Sequence, residues 1–280
     1  MEPLVQVSDL KWTYVGSKRP ALNGINFSLM PGEVLGVTGP SGAGKTTLAM
    51  TIDSLIPNNF HGDFSGKILV NGKNTTDYSV CDLVQEVGLV FQDPESQFMG
   101  MTVEEELVFT LENLGLSDEE ITRRVDHAIR MVHMEDFLQR SPFSLSGGQK
   151  QKVAIASCLA LEPSILVLDE PTSELDPIGT TEVFSVLREL KKSRKIGIIL
   201  VSHATEDLAS FCDRVLLLSE GNQVCLKNTQ EFFTDIPLLT QYGVQIPQIV
   251  EAFSKVPGIQ PEQIPITLSE AVRQMTEVEA

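Results

Sequence analysis

Two short stretches of this chain carry residues that could hold phosphate, about a hundred residues apart. In the first, Gly39-Pro40-Ser41-Gly42-Ala43-Gly44-Lys45-Thr46, a glycine-rich loop follows the apolar run Val34-Leu35-Gly36-Val37 and closes on a Lys-Thr pair. This is the phosphate-loop pattern of Gly, four residues, Gly-Lys-Ser/Thr in a strand–loop–helix setting. Backbone N–H groups of Gly42, Ala43, Gly44 and Lys45 can wrap a β-phosphate at the start of a helix, and the glycines permit the close approach. Lys45 would reach β- and γ-phosphate oxygens, the Thr46 hydroxyl would ligate Mg²⁺, and Thr47 would reach the α-phosphate. The loop alone implies a bound nucleotide and no particular chemistry.

The chemistry comes from Ile165-Leu166-Val167-Leu168-Asp169-Glu170, an apolar strand ending in two carboxylates. Phosphoryl transfer spreads negative charge over oxygen atoms, so it needs cations and fixed donors around the phosphates. Asp169 can hold Mg²⁺ through water, and Glu170 is placed to orient or deprotonate an attacking water. The second phosphate cradle is Leu145-Ser146-Gly147-Gly148-Gln149, which opens a helical stretch running to Leu161. It is too distant in sequence to share one nucleotide with the first by default.

The elements that must position these groups alternate. Leu4–Leu10 and Ile25–Leu29 have the period of half-buried strands, with a turn at 16–20 between them. Val34–Thr38 feeds the phosphate loop, Thr46–Leu55 continues as a helix, and Lys67–Gly72 ends in an Asn-Gly hairpin signal. Val87–Phe91 is a short buried strand. From Pro94 to about Leu161 the pattern is helical, with capping-box signatures at Thr102 to Glu105 and Ser117 to Glu120. Then follow Ile165–Leu168 (strand), Pro177–Leu190 (helix, capped by Asp176), Ile196–Val201 (strand), Thr205–Phe211 (helix) and Val215–Leu218 (strand). Strands alternating with helices predict an α/β fold with parallel crossovers and a helical insertion at about 94–160. Beyond Gly221 the chain becomes proline-punctuated, with helical pieces at Ile246–Phe253 and Ser269–Met275. Leu238, Leu239, Ile249, Val250 and Phe253 need burial, so a small added subdomain or dimerisation element is expected over 229–280.

Bulk properties narrow the partners. The 280 residues carry 21 Lys and Arg against 38 Asp and Glu, a net charge of −17. Such a chain gains nothing from phosphate-backbone counterion release, so nucleic acid is not an expected partner. Its densest basic run, residues 191–195, reads as a solvated helix end. Cys81, Cys158, Cys212 and Cys225 are widely spaced and read as small buried residues in a reducing compartment. No signal peptide and no apolar run near 18 residues is evident, so a cytosolic protein is expected, meeting any membrane through a partner.

With the phosphate loop, Leu-Ser-Gly-Gly-Gln and Asp169-Glu170 in that order, residues 4–227 resemble the ATP-binding cassette (ABC) ATPases. The resemblance implies a phosphate-loop core with an antiparallel β subdomain and a helical insertion, binding ATP and Mg²⁺. It implies roles that the residues alone would not. Gln92, after the strand Val87–Phe91, matches the Gln loop that touches Mg²⁺ and the attacking water. His203, after Ile198-Ile199-Leu200-Val201-Ser202, matches the switch histidine at the γ-phosphate. Tyr14 matches the aromatic on the adenine, with Trp12 as competitor. The two cradles are resolved by head-to-tail pairing of two cassettes, so that Ser146, Gly147, Gly148 and Gln149 contact the ATP of the partner. Thr172-Ser173-Glu174-Leu175-Asp176 matches the loop that communicates across that dimer through Asp176. Glu174 stands where alanine is usual, and Lys152 where arginine is usual, which keeps charge without fork geometry.

Within that family, Gln92-Asp93-Pro94-Glu95-Ser96-Gln97-Phe98, Thr102 to Leu107, Leu145–Ala156 with Leu175 to Gly179, and the punctuated tail resemble the ATPases of energy-coupling factor (ECF) importers. The first ATPase of such a pair is the nearer likeness. This implies a peripheral subunit on the cytoplasmic face of the cell membrane that energises uptake of a vitamin or metal micronutrient. Its expected partners are a second cassette, identical or paralogous, a transmembrane coupling subunit and a small membrane substrate-capture subunit. Asp93, Glu95 and Glu104 to Glu106 could receive arginines of the coupling subunit. Another ABC importer class is the alternative. A soluble cassette ATPase of translation or DNA maintenance is disfavoured by the single cassette, the lack of sustained heptads and the acidic balance.

Overall fold

Alternation of apolar and polar residues folds the first part of the chain as an antiparallel layer. β1 (Val5–Tyr14) pairs with β2 (Leu22–Leu29) on one side and β4 (Gly62–Val70) on the other. Between them come β3 (Val34–Thr38), α1 (Lys45–Ile52) and the one-turn α2 (Leu55–Asn58). β4 turns through Asn71 (φ 47°) and Gly72 (φ 78°) into β5 (Lys73–Asn74), the left-handed pair that an Asn-Gly hairpin turn requires. After α3 (Val80–Leu83) come β6 (Val87–Val90), α4 (Val103–Glu112), α5 (Asp118–Met131) and α6 (Gly147–Ala160). β7 (Ile165–Asp169), α7 (Pro177–Lys192), β8 (Gly197–Val201), α8 (Thr205–Phe211), β9 (Arg214–Ser219) and β10 (Asn222–Asn228) complete the sheet. This computed structural model describes residues 2–193, 195–256 and 258–278, so Arg194 of the basic run and Pro257 of the tail lie outside them.

One ten-stranded sheet results, in the order β5-β4-β1-β2-β10-β9-β3-β8-β7-β6. β3, β8, β7 and β6 lie side by side and parallel, and all four are buried along their whole length. Strands buried on both faces are apolar throughout, which explains Ile165–Leu168 and Ile198–Val201. Their residues alternate between two cores. Leu166, Leu168, Ile198 and Leu200 face the helical insertion and α7, while Ile165, Val167 and Ile199 face α1 and the antiparallel layer. From 94 to 160 every regular element is helical, and α4, α5 and α6 pack on one another.

Several expectations are corrected. β1 runs through Trp12 to Tyr14, so Tyr14 ends a strand and does not lie between two. Its antiparallel neighbour β4 starts at Gly62, five residues ahead of Lys67, because it follows β1 to that end, with Gly62 opposite Tyr14. α1 stops at Ile52, where Ser54 adopts the left-handed conformation (φ 63°), short of Leu55. Thr102 and Ser117 do cap their helices, accepting from Glu105 N–H at 3.1 Å and Glu120 N–H at 3.4 Å, but the reciprocal bonds are absent. Glu105 accepts from Met101 N–H, and Glu120 is taken by Arg123 and Arg124. β10 was not expected; its half-buried residues show no strong alternation, although it forms a local hairpin with β9 through Glu220 and Gly221, and only its bridge to β2 at Asn23 is non-local.

The tail forms α9 (Thr229–Thr234), α10 (Ile236–Gln241), α11 (Gln248–Phe253) and α12 (Leu268–Val278). Phe232, Phe233, Leu239, Val250, Ile264 and Ile266 are buried in the same core as Leu200 and Leu217. Leu268, Val272 and Met275, at helical spacing on α12, are left exposed.

Candidate active site

The parallel strands deliver their chemistry at one edge. β3 leads into the phosphate loop, β8 into Ser202 and His203, β7 into Glu170, and β6 into Phe91 and Gln92. Side chains far apart in sequence converge because neighbouring parallel strands end together, the crevice outside their carboxyl ends being the usual ligand site of such sheets. The resulting cleft has a volume of about 740 Å³, and its walls include Ser41, Gly42 and Gly44 to Thr47 of the loop and α1, with Gln92, Glu170 and His203.

Gly44 caps α1 with φ 103°, and a Cβ there would sit 2.3 Å from the carbonyl oxygen of Ala21. Only glycine fits, and its conformation turns the loop so that α1 begins at Lys45. Lys45 Nζ folds back to the carbonyl oxygens of Gly39 (3.1 Å) and Pro40 (3.2 Å) and lies 2.9 Å from His203 Nε2. Burial lowers the pKa of Lys45, opposed by the charges of Glu170 and Asp169. Its ammonium is therefore thinly solvated and available to an anion.

Glu170 sits just past β7 in the left-handed conformation (φ 52°), held by its N–H to the carbonyl oxygen of Val201 at 2.9 Å. Such backbone in a residue other than glycine persists where the surroundings over-determine it, and here it aims the carboxylate into the cleft. Glu170 Oε2 accepts the N–H of His203 at 3.3 Å, and Oε1 lies 3.2 Å from His203 Nε2. His203 Nε2 cannot accept from the Lys45 ammonium and donate to Glu170 at once. With Lys45 as its donor, Glu170 Oε1 is buried and unpaired. Burial raises the pKa of Glu170, His203 and Lys45 opposing it, which makes the carboxylate a stronger base.

Asp169 is buried, its Oδ1 unpaired, and burial raises its pKa against the Thr46 hydroxyl and Lys45. Orphaned carboxylate oxygens beside Thr46 and Gln92 fit a hard divalent cation. Among the described residues no three His, Cys, Asp or Glu side chains converge on a metal position. The donor set suits an ion held mainly by phosphate and water, as Mg²⁺ is.

Burial separates Tyr14 from Trp12. Trp12 is wholly enclosed in the core, whereas the Tyr14 hydroxyl lies 3.1 Å from Thr47 Oγ1 at the loop, its ring edge-on to Trp12 and Phe60. Ser146 caps α6 and forms a full capping box with Gln149, with bonds of 3.4 and 3.1 Å. The structure does not place Ser146, Gly147, Gly148 or Gln149 among the cleft walls. Gly148 packs on Gly179 of α7, and a Cβ on it would come 2.8 Å from the Gly179 Cα. Asp176 accepts the N–H of Gly179 at 2.7 Å and caps α7. Lys152 is buried against Glu182 at 2.9 Å, a point-charge contact that needs no fork.

One wall residue escaped the sequence reading. Asp207 on α8 faces the cleft 3.5 Å from the Thr172 hydroxyl, and burial pushes its pKa up to about 6. Its spacing of four from His203 was the available signal; its burial is tertiary. The folded state binds this proton more tightly than the unfolded chain, so its stabilising contribution is full below pH about 4 and lost as pH rises through about 6. Asp207→Asn is expected to melt about 2–4 °C above the parent at pH 8, with the gap shrinking at pH 5. Thermal unfolding at the two pH values checks this, and a gap independent of pH would contradict it.

The comparisons agree with this geometry. Residues 22–173 match the family model described as ABC transporter. A putative ABC transporter ATP-binding protein of Pyrococcus abyssi is 44% identical over 89% of this chain and 89% of its own length. The energy-coupling factor transporter ATP-binding protein EcfA2 of Clostridium acetobutylicum is 38% identical over 90% of this chain and 89% of its own. Among solved structures, cbiO1 of Clostridium perfringens, described as part of the ABC transporter complex cbiONQ, superposes with a TM-score of 0.76 at 33% identity. It covers 91% of this chain and is itself covered completely (100%). The ATP-binding cassette MJ0796, a dimer in a post-hydrolysis state bound to ADP and Pi, gives 0.69 at 27% identity over 80% of this chain and 98% of that one.

Proposed function

Because this chain belongs to the ABC transporter family of ATPases, whose ATP hydrolysis is coupled to transport, we propose that it is the ATPase subunit of an ECF-type importer of a vitamin or metal micronutrient. Support comes from its likeness to EcfA2 and to cbiO1, and from one surface in particular. Directly after the Gln loop, Met99, Met101 and Phe109 stand exposed around a groove of about 420 Å³, with Glu105 and Glu112 on its rim. An apolar floor with an acidic rim fits an amphipathic, arginine-bearing helix of a membrane partner. Among the described residues no helix is long and apolar enough to cross a membrane, and in this reading the coupling subunit supplies the membrane path. The subunit would then sit on the cytoplasmic face.

The acidic residues expected to receive those arginines are redistributed. Glu106 is buried and accepts the N–H groups of Met99 and Gly100, both at 2.7 Å. Glu95 is paired with Lys150, and Glu104 accepts from Gln139. Of the expected residues Glu105 stays at the groove, where Glu112 joins it.

At the cleft the proposed roles follow the geometry. Gly39 to Thr47 would wrap the triphosphate and Tyr14 would back the adenine. Mg²⁺, held through Thr46, Gln92 and Asp169, would neutralise phosphate charge. Glu170 would draw the proton from the attacking water, with His203 beside it at the γ-phosphate. Ser146 to Gln149 lie outside the cleft walls, which supports a head-to-tail pair in which they meet the partner's ATP and Asp176 communicates across the seam. The exposed Leu268, Val272 and Met275 stripe on α12 would help hold the pair, giving the 229–280 extension its use.

A tagged chain recovered from detergent-solubilised membranes tests this. The expected co-purifying chains are a polytopic coupling subunit, a small capture subunit whose ligand names the cargo, and a second cassette if the pair is heteromeric. Met101→Asp with Phe109→Asp is expected to lose the coupling subunit and keep the second cassette. Recovery of soluble partners or ribosomes alone would overturn the importer reading.

A further inference from the structure

Among the described residues β6 is the last strand of the sheet, paired with β7 on one side and with no strand on the other. An open edge presents backbone groups that need partners. Here side chains supply them: the Cys158 thiol lies 3.5 Å from the Leu89 carbonyl oxygen, and Gln97 answers two backbone groups at once. Gln97 Oε1 accepts the N–H of Phe91 at 3.1 Å, and Gln97 Nε2 donates to the carbonyl oxygen of Leu89 at 3.2 Å. The carboxamide thus mimics one peptide of a missing neighbouring strand, fixed to the residue immediately before Gln92. The segment between is stiff. Asp93 accepts from Glu95 N–H at 3.0 Å, the Ser96 hydroxyl donates to the carbonyl oxygen of Asp93 at 2.7 Å, and residues 94–97 form a 3₁₀ turn. From the top of that turn, Glu95 reaches Lys150 of α6 at 2.5 Å.

We propose that Gln97 is the positioning residue for Gln92, closing residues 92–96 into a loop riveted to the sheet, and that Glu95–Lys150 fastens this loop to the helix bearing Ser146 to Gln149. Gln92 then meets the nucleotide at a place set by β6, and a shift of Gln92 is passed to α6 as a rigid displacement. Gln97, Glu95 and Lys150 do not line the cleft. The inference rests on the assignment of Gln92 above.

The test is a kinetic cycle on ATP hydrolysis by the full chain in the complex recovered from membranes. Gln97→Leu keeps the volume and removes both bonds. It is expected to lower kcat about tenfold with KM for ATP within about twofold, since small misplacements of a positioned group act mainly on the chemical step. Gln92→Ala is expected to lower kcat at least as far, and the double variant to match Gln92→Ala alone, because Gln97 acts only through Gln92. Gln97→Glu guards against misfolding: it keeps the length and the acceptor but turns the donor into a second acceptor facing the Leu89 carbonyl oxygen. Its kcat should therefore also fall about tenfold with KM for ATP within about twofold. Multiplying effects in the double variant, or parental kcat in Gln97→Glu, overturns the proposal. Gln97→Leu at parental kcat with Gln92→Ala slow overturns the role of Gln97 alone. Parental kcat in Gln92→Ala overturns the assignment of Gln92 and this inference with it.

Discussion

Glu170→Gln is expected to cut ATP turnover by about 10²–10⁴-fold while leaving ATP binding intact. The substitution keeps the shape of a side chain whose backbone is held at φ 52° by Val201, so the cleft should survive it. What disappears is the basic oxygen, the one left unpaired beside His203. Because burial raises the Glu170 pKa, the ionised form at neutral pH carries a cost that glutamine does not. The variant should melt no lower than the parent at pH 8, an inactive protein that is not a damaged one. Without hydrolysis the ATP-bound pair has no route back to the open state, so size-exclusion chromatography with ATP should show a dimer that persists. Undiminished turnover would remove Glu170 from the reaction.

Lys45→Ala is expected to weaken ATP by about a hundredfold. A charge-assisted hydrogen bond is worth about 1.5–3 kcal/mol, and Lys45 would make two, to β- and γ-oxygens. Part of that is offset because the buried ammonium, its pKa lowered by desolvation, is already held by Gly39, Pro40 and His203 and must leave them. ADP, lacking the γ-phosphate, should lose less than ATP. Fluorescence titration of both nucleotides measures the difference; equal losses would place Lys45 on the β-phosphate alone.

The parts of this molecule legible from sequence were those whose chemistry is contiguous. The phosphate loop, Asp169-Glu170 and Leu145 to Gln149 are strings of fixed spacing, and the apolar runs before them announce buried parallel strands. Gln92 and His203 were legible only by resemblance, since a polar residue after a strand is ordinarily a turn. Within the acidic stretch from Asp93 to Glu106, what each carboxylate meets is tertiary: Glu95 finds Lys150, 55 residues on, while Glu106 turns inward to take the nearby N–H groups of Met99 and Gly100. The half-buried carboxyl of Asp207, against Thr172 across the chain, was hidden for that reason, and β10 because its residues lack alternation. That the core encloses Trp12 and leaves Tyr14 at its margin was not readable from two aromatics two residues apart.

The place of β3 in the sheet has a consequence for how the protein is made. The strand that carries the phosphate loop lies between β8 and β9, and β8 starts at Gly197, about 160 residues after β3 ends at Thr38. At roughly 5–20 residues per second, a ribosome needs about 8–30 s to supply the flanks of that strand. During that interval Val34, Leu35 and Val37 have no sheet to enter, and the nascent chain offers them to whatever apolar surface is near. The residues that grip the nucleotide are translated first, and the grip closes only when the last third of the chain has emerged.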